Sequence, residues 1–279
     1  MKTRTEIVVI TGASSGIGRD LAEHLAEEGY AVLAGVRKMA DAPNGAGITP
    51  FIADVTKPET LSAAITQFSS RLSEASAVHL VNNAGLAVSG PVEGVPVSRW
   101  REQFEVNVFG LVAVTQAFLP FLRARPGCVV NISSVSGLFA SPYLGPYSAS
   151  KFAVEALSDS LRRELKPFGV KVVLVEPGPV ATPIWQKGLA KKEEGLAAMG
   201  AELEQVYAKG LSGFQRVIED SASRAIPVRQ VSSCVLRILR SPKPKARYVL
   251  GPKGTAFQMK LISLLPTSWV DFLIARELR

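Results

Sequence analysis

Residues 6–29 leave the chain few choices of fold. Glu6-Ile7-Val8-Val9-Ile10 is a short apolar run rich in β-branched residues and reads as a buried parallel strand. It runs into Thr11-Gly12-Ala13-Ser14-Ser15-Gly16-Ile17-Gly18, after which Ile17, Leu21, Leu25 and Ala26 recur at helical spacing up to Gly29. Strand, Gly-rich turn and helix in succession place an anionic phosphate at a helix N-terminus. The glycines let the backbone turn tightly and approach a pyrophosphate closely. Gly12, Ser14, Ser15, Gly16, Ile17 and Gly18 are the candidate contacts in this turn. Their spacing differs from the common Gly-x-Gly-x-x-Gly form.

The same alternation continues along the chain. Ala31 to Val36 is a second apolar run, and Thr49 to Ala53 a third, separated by a Gly/Pro/Asn/Ala loop over 39–48. Val78 to Val81 ends in Asn82-Asn83-Ala84-Gly85, Cys128 to Ile132 in Ser133-Ser134, and Val170 to Val175 in Glu176-Pro177-Gly178-Pro179. Each run carries small or polar residues at its C-terminal end, the edge that lines the ligand crevice of an open parallel sheet. Thr56-Lys57-Pro58-Glu59 reads as a capping box opening a helix. Trp100, Phe104, Val108, Leu111 and Val112 predict a helix ending near Pro120, and another is predicted from Tyr147 to about Lys166. Strands alternating with helices imply an α/β fold, a doubly wound parallel sheet with helices on both faces. A chain of 279 residues suits one such domain.

The chemistry sits in Tyr147-Ser-Ala-Ser-Lys151. Four residues is one helical turn, so the phenol and the ammonium project from the same face. A nearby cation stabilises a phenolate, which at a free pKa near 10 is otherwise out of range at neutral pH. Such a Tyr can move a proton to or from an alcohol oxygen. Pro146 places Tyr147 at a helix start. Ser134, thirteen residues upstream, is a candidate clamp on a substrate oxygen, and Asn107 stands further back.

In their order, Thr-Gly-x-x-x-Gly-x-Gly, Asn-Asn-Ala-Gly, Asn107, Ser134, Tyr-x-x-x-Lys and Pro-Gly, these motifs resemble the short-chain dehydrogenase/reductase family over roughly residues 5–250. The resemblance implies a single-domain Rossmann fold and alcohol–carbonyl interconversion with NAD(P). Tyr147 would be the acid/base, and Lys151 would lower the phenol and hold the nicotinamide ribose. Asn107 would place a water in a relay to Lys151. Asp54, with Val55 beside it, would meet the adenine. Asn83, followed by Ala84 and Gly85, would line the adenosine ribose. In Pro177-Gly178-Pro179-Val180-Ala181-Thr182, Thr182 would bind the carboxamide.

The end of the second run, Gly35-Val36-Arg37-Lys38, holds no acid. A carboxylate there would repel a 2′-phosphate, whereas Arg37 can bind one bidentately. NADP, with NADPH favoured over NADH, is therefore the expected cofactor. Arg37 and Lys38 as solvated loop cations remain the plainer alternative.

Residues 183–226 form the expected substrate cover. From Leu196 onward, Met199, Leu203, Tyr207, Leu211 and Phe214 recur at three- and four-residue steps as an apolar stripe. Cover and ordinary core packing both fit such a stripe. Tyr143, Trp185, Ser134 and Tyr147 are the candidate substrate contacts. An extension over 252–279 adds Leu261, Ile262, Leu264, Leu265, Trp269, Phe272 and Leu273. With the segment Glu176–Pro183, it looks similar to the hydroxysteroid and retinol dehydrogenase branch, which implies a lipophilic alcohol or ketone as substrate. A 3-oxoacyl-carrier-protein reductase and a silent NADP-binding sensor are the alternatives. The long cover and tail speak against the first, and the complete Asn107, Ser134, Tyr147, Lys151 set against the second.

Charge is uneven. Residues 1–186 hold 16 Lys/Arg and 16 Asp/Glu, and residues 187–279 hold 16 and 8, so the net +8 lies in the last third. A basic, amphipathic end is suited to resting on an anionic membrane surface. A solvated basic face without a partner accounts for the same charges. No recognition motif for nucleic acid accompanies them. Cys128 and Cys234 are expected to be buried and reduced, and no metal-ligand spacing is present. His24 and His79 receive no catalytic role. With no signal peptide and no run of about 18 apolar residues, a cytoplasmic protein is expected, with peripheral membrane contact as the option the basic end raises. Apolar residues on more than one face of the helices at about 104–122 and 147–166 predict a homodimer or homotetramer.

Overall fold

Alternation inside the strands decides which residues meet which layer of helices. The computed structural model describes residues 5–184 and 201–277. In β1 (Ile7–Thr11), Val8 and Ile10 enter one apolar cluster while Ile7 and Val9 enter another on the opposite side of the sheet. The remaining strands are β2 (Ala31–Val36), β3 (Ile48–Ile52), β4 (Val78–Asn82), β5 (Cys128–Ile132), β6 (Lys171–Pro177) and β7 (Arg247–Leu250). They form a seven-stranded sheet in the order β3-β2-β1-β4-β5-β6-β7, with every pairing parallel. The order reverses between β1 and β4, which opens a crevice at the C-terminal edge of those strands.

On one face α1 (Gly16–Glu27) buries Leu21 and Leu25 against α7 (Val228–Arg240), which contributes Val231, Val235 and Ile238. On the other, α2 (Pro58–Glu74) buries Leu61, Phe68 and Leu72 beside Val114, Phe118 and Leu122 of α4 (Gly110–Ala124). Each fully buried Leu or Phe contributes about 1.5–3 kcal/mol. Chain order places α3 (Val97–Phe104) before α4, a π-helical turn (Glu105–Phe109) between them, α5 (Gly145–Leu165) after β5, and α6 (Ala201–Ser223) before α7. The chain closes with α8 (Thr255–Ile262) and α9 (Thr267–Glu277).

Two sequence expectations change. The capping box does not form, because the Thr56 hydroxyl donates to Asp54 Oδ1 at 2.8 Å and helix α2 begins at Pro58 with Lys57 as an uncapped N-cap. Pro120 does not end its helix, which continues to Ala124. Pro120 and Gln116, four residues earlier, are both exposed, so water can reach the carbonyl that loses its donor. Strand β7 escaped notice because a four-residue edge strand leaves little pattern. The helical stretch 97–124 is long and apolar enough to span a membrane by length and composition, although charged residues interrupt its first turns. Its Leu111, Val114, Phe118 and Leu122 are buried within the fold.

Cys128 and Cys234 are buried thiols, and burial pushes Cys128 up to about 12. Of the apolar stripe expected to cover the site, Leu196 and Met199 lie outside the described residues. Leu211 and Phe214 are buried from α6, and Leu203 and Tyr207 are half-buried on the same side.

Candidate active site

The crevice holds a cavity of about 500 Å³ between the Gly-rich turn, the ends of β4, β5 and β6, and the start of α5. Its size falls in the ordinary range for small-molecule sites. Gly12, Ser14, Ser15, Gly16 and Ile17 line one end, with Arg37, Asp54 and Val55. Asn83, Ala84, Gly85, Ser134, Tyr147, Lys151, Pro177, Gly178, Val180 and Thr182 line the rest.

The turn is built for close approach. Gly12 adopts a φ of +67°, and a Cβ there would stand 2.8 Å from Ala84 Cα. Gly18 does not line the cavity but packs beneath it, where a Cβ would meet Gly12 O at 2.3 Å and Asn83 Nδ2 at 2.4 Å. Thr11 Oγ1 accepts the N–H groups of Asn83 and Ala84, both at 3.1 Å, and so ties the ends of β1 and β4. Asn83 Nδ2 donates to the carbonyls of Thr11 and Gly12, also at 3.1 Å. Its amide NH₂ is therefore spent on the turn, and Asn83 shapes the ribose side chiefly by holding the backbone there. A cradle closed to any Cβ and facing the start of α1 fits a dinucleotide pyrophosphate.

At the Arg37 end of the cavity, burial works against the Asp54 charge. The Thr56 hydroxyl and N–H, with Lys57 and Arg37, outweigh it and hold the carboxyl below its ordinary range. Arg37 is exposed, directly after β2, with Lys38 beside it.

The proton-handling end is buried. Tyr147, in the first turn of α5, hydrogen-bonds Ser134, whose Oγ also accepts Ser136 N–H at 3.1 Å and donates to Pro177 O at 3.3 Å. Burial raises the phenol, and the Ser134 hydrogen bond only partly offsets this. The expectation that Lys151 would lower the phenol is not met in this geometry. Lys151 Nζ donates to Ile132 O at 2.8 Å and stands 5.8 Å from the Tyr147 ring centroid. Burial lowers Lys151 itself to about 8, against the raising effect of Glu155.

Asn107 lies in the π-helical turn, buried, and does not line the cavity. Its Oδ1 accepts Leu86 N–H at 2.9 Å, and its Nδ2 donates to Leu86 O at 3.1 Å and Ser150 Oγ at 3.2 Å. Gln103, one turn earlier, accepts Val88 N–H at 2.7 Å and donates to Leu86 O at 2.8 Å. Ser150 Oγ in turn donates to Tyr147 O at 2.7 Å. The Asn107 side chain thus clamps the cavity wall and the first turn of α5, and a water relay to Lys151 would have to start from its main-chain carbonyl.

Tyr143 does not line the cavity either. It holds a φ of 64°, and its ring packs against Tyr207 and Phe214 of α6, with its hydroxyl against Gly210. It ties α6 to the loop before α5. Trp185 lies outside the described residues. Nothing in the sequence marks the Arg99–Glu102 ion pair at the cavity wall or Gln103, because their placement depends on how the segment after Gly85 folds back.

Residues 6–193 match the family model described as short chain dehydrogenase. The chain is 36% identical over 283 residues to an NADPH-dependent 3-dehydrocapnine reductase of Ornithobacterium rhinotracheale, covering 97% of this chain and 96% of that one. It is 35% identical to 17-beta-hydroxysteroid dehydrogenase type 6 of Bos taurus, over 98% and 88% of the two chains. Among solved structures, a short chain dehydrogenase from Burkholderia cenocepacia in complex with NADP superposes with a TM-score of 0.73 at 27% identity, covering 100% of both chains. With the sheet order, the Gly-rich cradle and the Ser134–Tyr147 pair, these likenesses establish that the chain belongs to the short-chain dehydrogenase/reductase family.

Proposed function

We propose that this oxidoreductase uses NADP to interconvert a lipophilic alcohol and its ketone or aldehyde. The observation that carries this reading is the Ser134–Tyr147 pair in a cavity also lined by Arg37, which follows β2 with no acid at the end of that strand. Residues 12–18, Arg37, Asp54, Asn83 and Thr182 would hold the nucleotide, which would supply or accept a hydride when bound. Ser134 Oγ orients the carbonyl oxygen of the substrate. Tyr147 donates its phenolic proton to that oxygen as negative charge develops. In the opposite direction the same phenol oxygen would take the proton back from the alcohol. Lys151 braces the Tyr147 side of the site from Ile132 O, where its ammonium would hold the nicotinamide ribose, and Asn107 fixes the wall through Leu86 and Ser150.

The apolar side of α6 and the tail favour a lipophilic substrate, and the relatives named for a steroid and for 3-dehydrocapnine agree with that class. Assay with NADPH against steroid ketones, retinal, small ketones and acetoacetyl thioesters tests it. Turnover should be highest on the lipophilic carbonyls, and activity confined to the thioesters would favour the carrier-protein reading.

Two surfaces extend the proposal. Phe109 and Phe152, 56% and 44% exposed beside partly buried Val112, Phe121 and Leu157, suit a two-fold dimer through α4 and α5. Light scattering at micromolar concentration should give the mass of two chains or more, and a clean monomer would refute that. Phe257 and Leu261 of α8, Leu264 in the turn after it, and Trp269, Phe272 and Leu273 of α9 are exposed, as are Lys253, Lys260 and Arg276 in the same segment. This end suits peripheral contact with an anionic bilayer, where lipophilic substrates dissolve. Residues 1–279 would form one domain, with the cover over about 183–226.

A further inference from the structure

Two carboxylates lie beneath the proton-handling end with no part in the reaction described so far. Glu155 follows Lys151 by four residues, as Lys151 follows Tyr147, so the three stand in a row on α5. Glu176 is the residue before Pro177 in β6 and is fully buried. Arg247 of β7 reaches both, with its Nε 3.2 Å from Glu155 Oε2 and 3.3 Å from Glu176 Oε1. Its Nη2 lies 3.0 Å from Asp159 Oδ1. Asp159 is further paired with Arg162 and Arg163. The turn Val135–Gly137, packed on the same helix, brings no ionisable group. The two glutamates thus share one cation that a third carboxylate also uses. Glu155 Oε1 and both Glu176 oxygens are buried without a hydrogen-bond donor among the described residues, apart from the ion pair to Arg247.

Two buried carboxyls side by side cannot both ionise cheaply, and one proton held between them supplies the missing donor. We propose that Glu155 and Glu176 form a proton-sharing pair that holds Lys151 in its cationic form and so sets the alkaline limit of the enzyme. They are positioning residues, since they act through Lys151, and the inference rests on the role proposed for that lysine. Glu155 raises Lys151 against the burial that lowers it. Burial first, and then Glu155, push Glu176 up to about 8, the same region in which Lys151 titrates. As pH rises, the pair gives up its shared proton and gains negative charge beside Lys151, which delays loss of the ammonium.

The test is the pH dependence of kcat/KM and of NADPH affinity in Glu155→Gln and Glu176→Gln. Affinity, read by cofactor fluorescence, follows the Lys151 charge without turnover, so a wrong substrate assignment would not obscure the result. Glu155→Gln removes the charge nearest Lys151 and should move the alkaline midpoint of both profiles toward acid by about one pH unit. Glu176→Gln preserves the neutral partner but blocks the later ionisation, so its shift should be smaller and of the same sign. Thermal unfolding adds a third readout. An acid with a raised folded-state value binds more protons folded than unfolded between about 4.5 and 8, so its contribution to stability declines through that window. Glu176→Gln should therefore unfold at a higher temperature than the parent at pH 9, with the gap closing toward pH 5. A pair that only braced the fold would scale activity equally at every pH and leave both midpoints in place. Unmoved midpoints in both variants would overturn the proposal.

Discussion

A Cβ on Gly18 would meet Gly12 O at 2.3 Å, whereas Phe257 and Trp269, in the last two helices, expose 70% and 65% of their surface. The first region is fixed from within. Backbone approaches backbone, Thr11 and Asn83 satisfy the strand ends, and no room remains for a side chain. The second takes its form from whatever it faces, because α8 meets the rest of the fold mainly through β7 and its large apolar residues point outward. Substitutions should therefore act through geometry at the turn and through partners at the tail.

The largest effect belongs to the enclosed region. Tyr147→Phe keeps the ring that fills the buried site and removes the proton, so steady-state turnover should fall by about 10²–10⁴-fold with little change in unfolding temperature. Retention of most activity would break the assignment. Gly18→Ala, one added methyl, should cost about 1–3 kcal/mol of stability by overpacking, measured by denaturant titration, and weaken NADPH binding as the turn shifts. A neutral outcome would mean that the turn is looser than its contacts indicate. Arg37→Ala, at the exposed rim of the same region, should leave the fold alone and narrow the NADPH-over-NADH preference by about 1–3 kcal/mol, read by fluorescence titration. Equal affinities in the parent would remove the 2′-phosphate role altogether. The tail gives the smallest effect on the molecule itself. Trp269→Ala with Phe272→Ala should change stability by no more than about 0.5 kcal/mol each, while weakening sedimentation with vesicles containing phosphatidylserine. A large loss of stability would show that these residues are buried in solution, by a second copy or by the chain.

What could be read in advance follows the same division. The sheet, the cradle and the Ser134–Tyr147–Lys151 arrangement depend on local rules: β-branched runs, glycines where a Cβ has no room, and a four-residue step on a helix. They were legible for that reason. Gln103, the Arg99–Glu102 pair and the Arg247 contacts depend on how distant segments fold onto one another, and nothing in their own neighbourhoods marks them. Tyr143 shows the limit of proximity in sequence. Four residues from Tyr147, it turns away through a left-handed backbone and packs on α6. The electrostatics of Tyr147 were equally hidden, since spacing reveals that Lys151 shares its face but not that Ile132 O takes the ammonium.

The π-helical turn at Glu105–Phe109 carries a consequence for how this chain tolerates deletion. Such a turn holds one residue more than an α-helical one. Because the wider turn still closes about one revolution, losing a residue other than Asn107 there would restore a plain helix and leave the faces of α3 and α4 in phase. Losing one from the start of α4 instead would turn everything beyond it by about 100° and carry Val114, Phe118 and Leu122 off the core. The extra residue thus marks a place where this helix can change length without changing its faces.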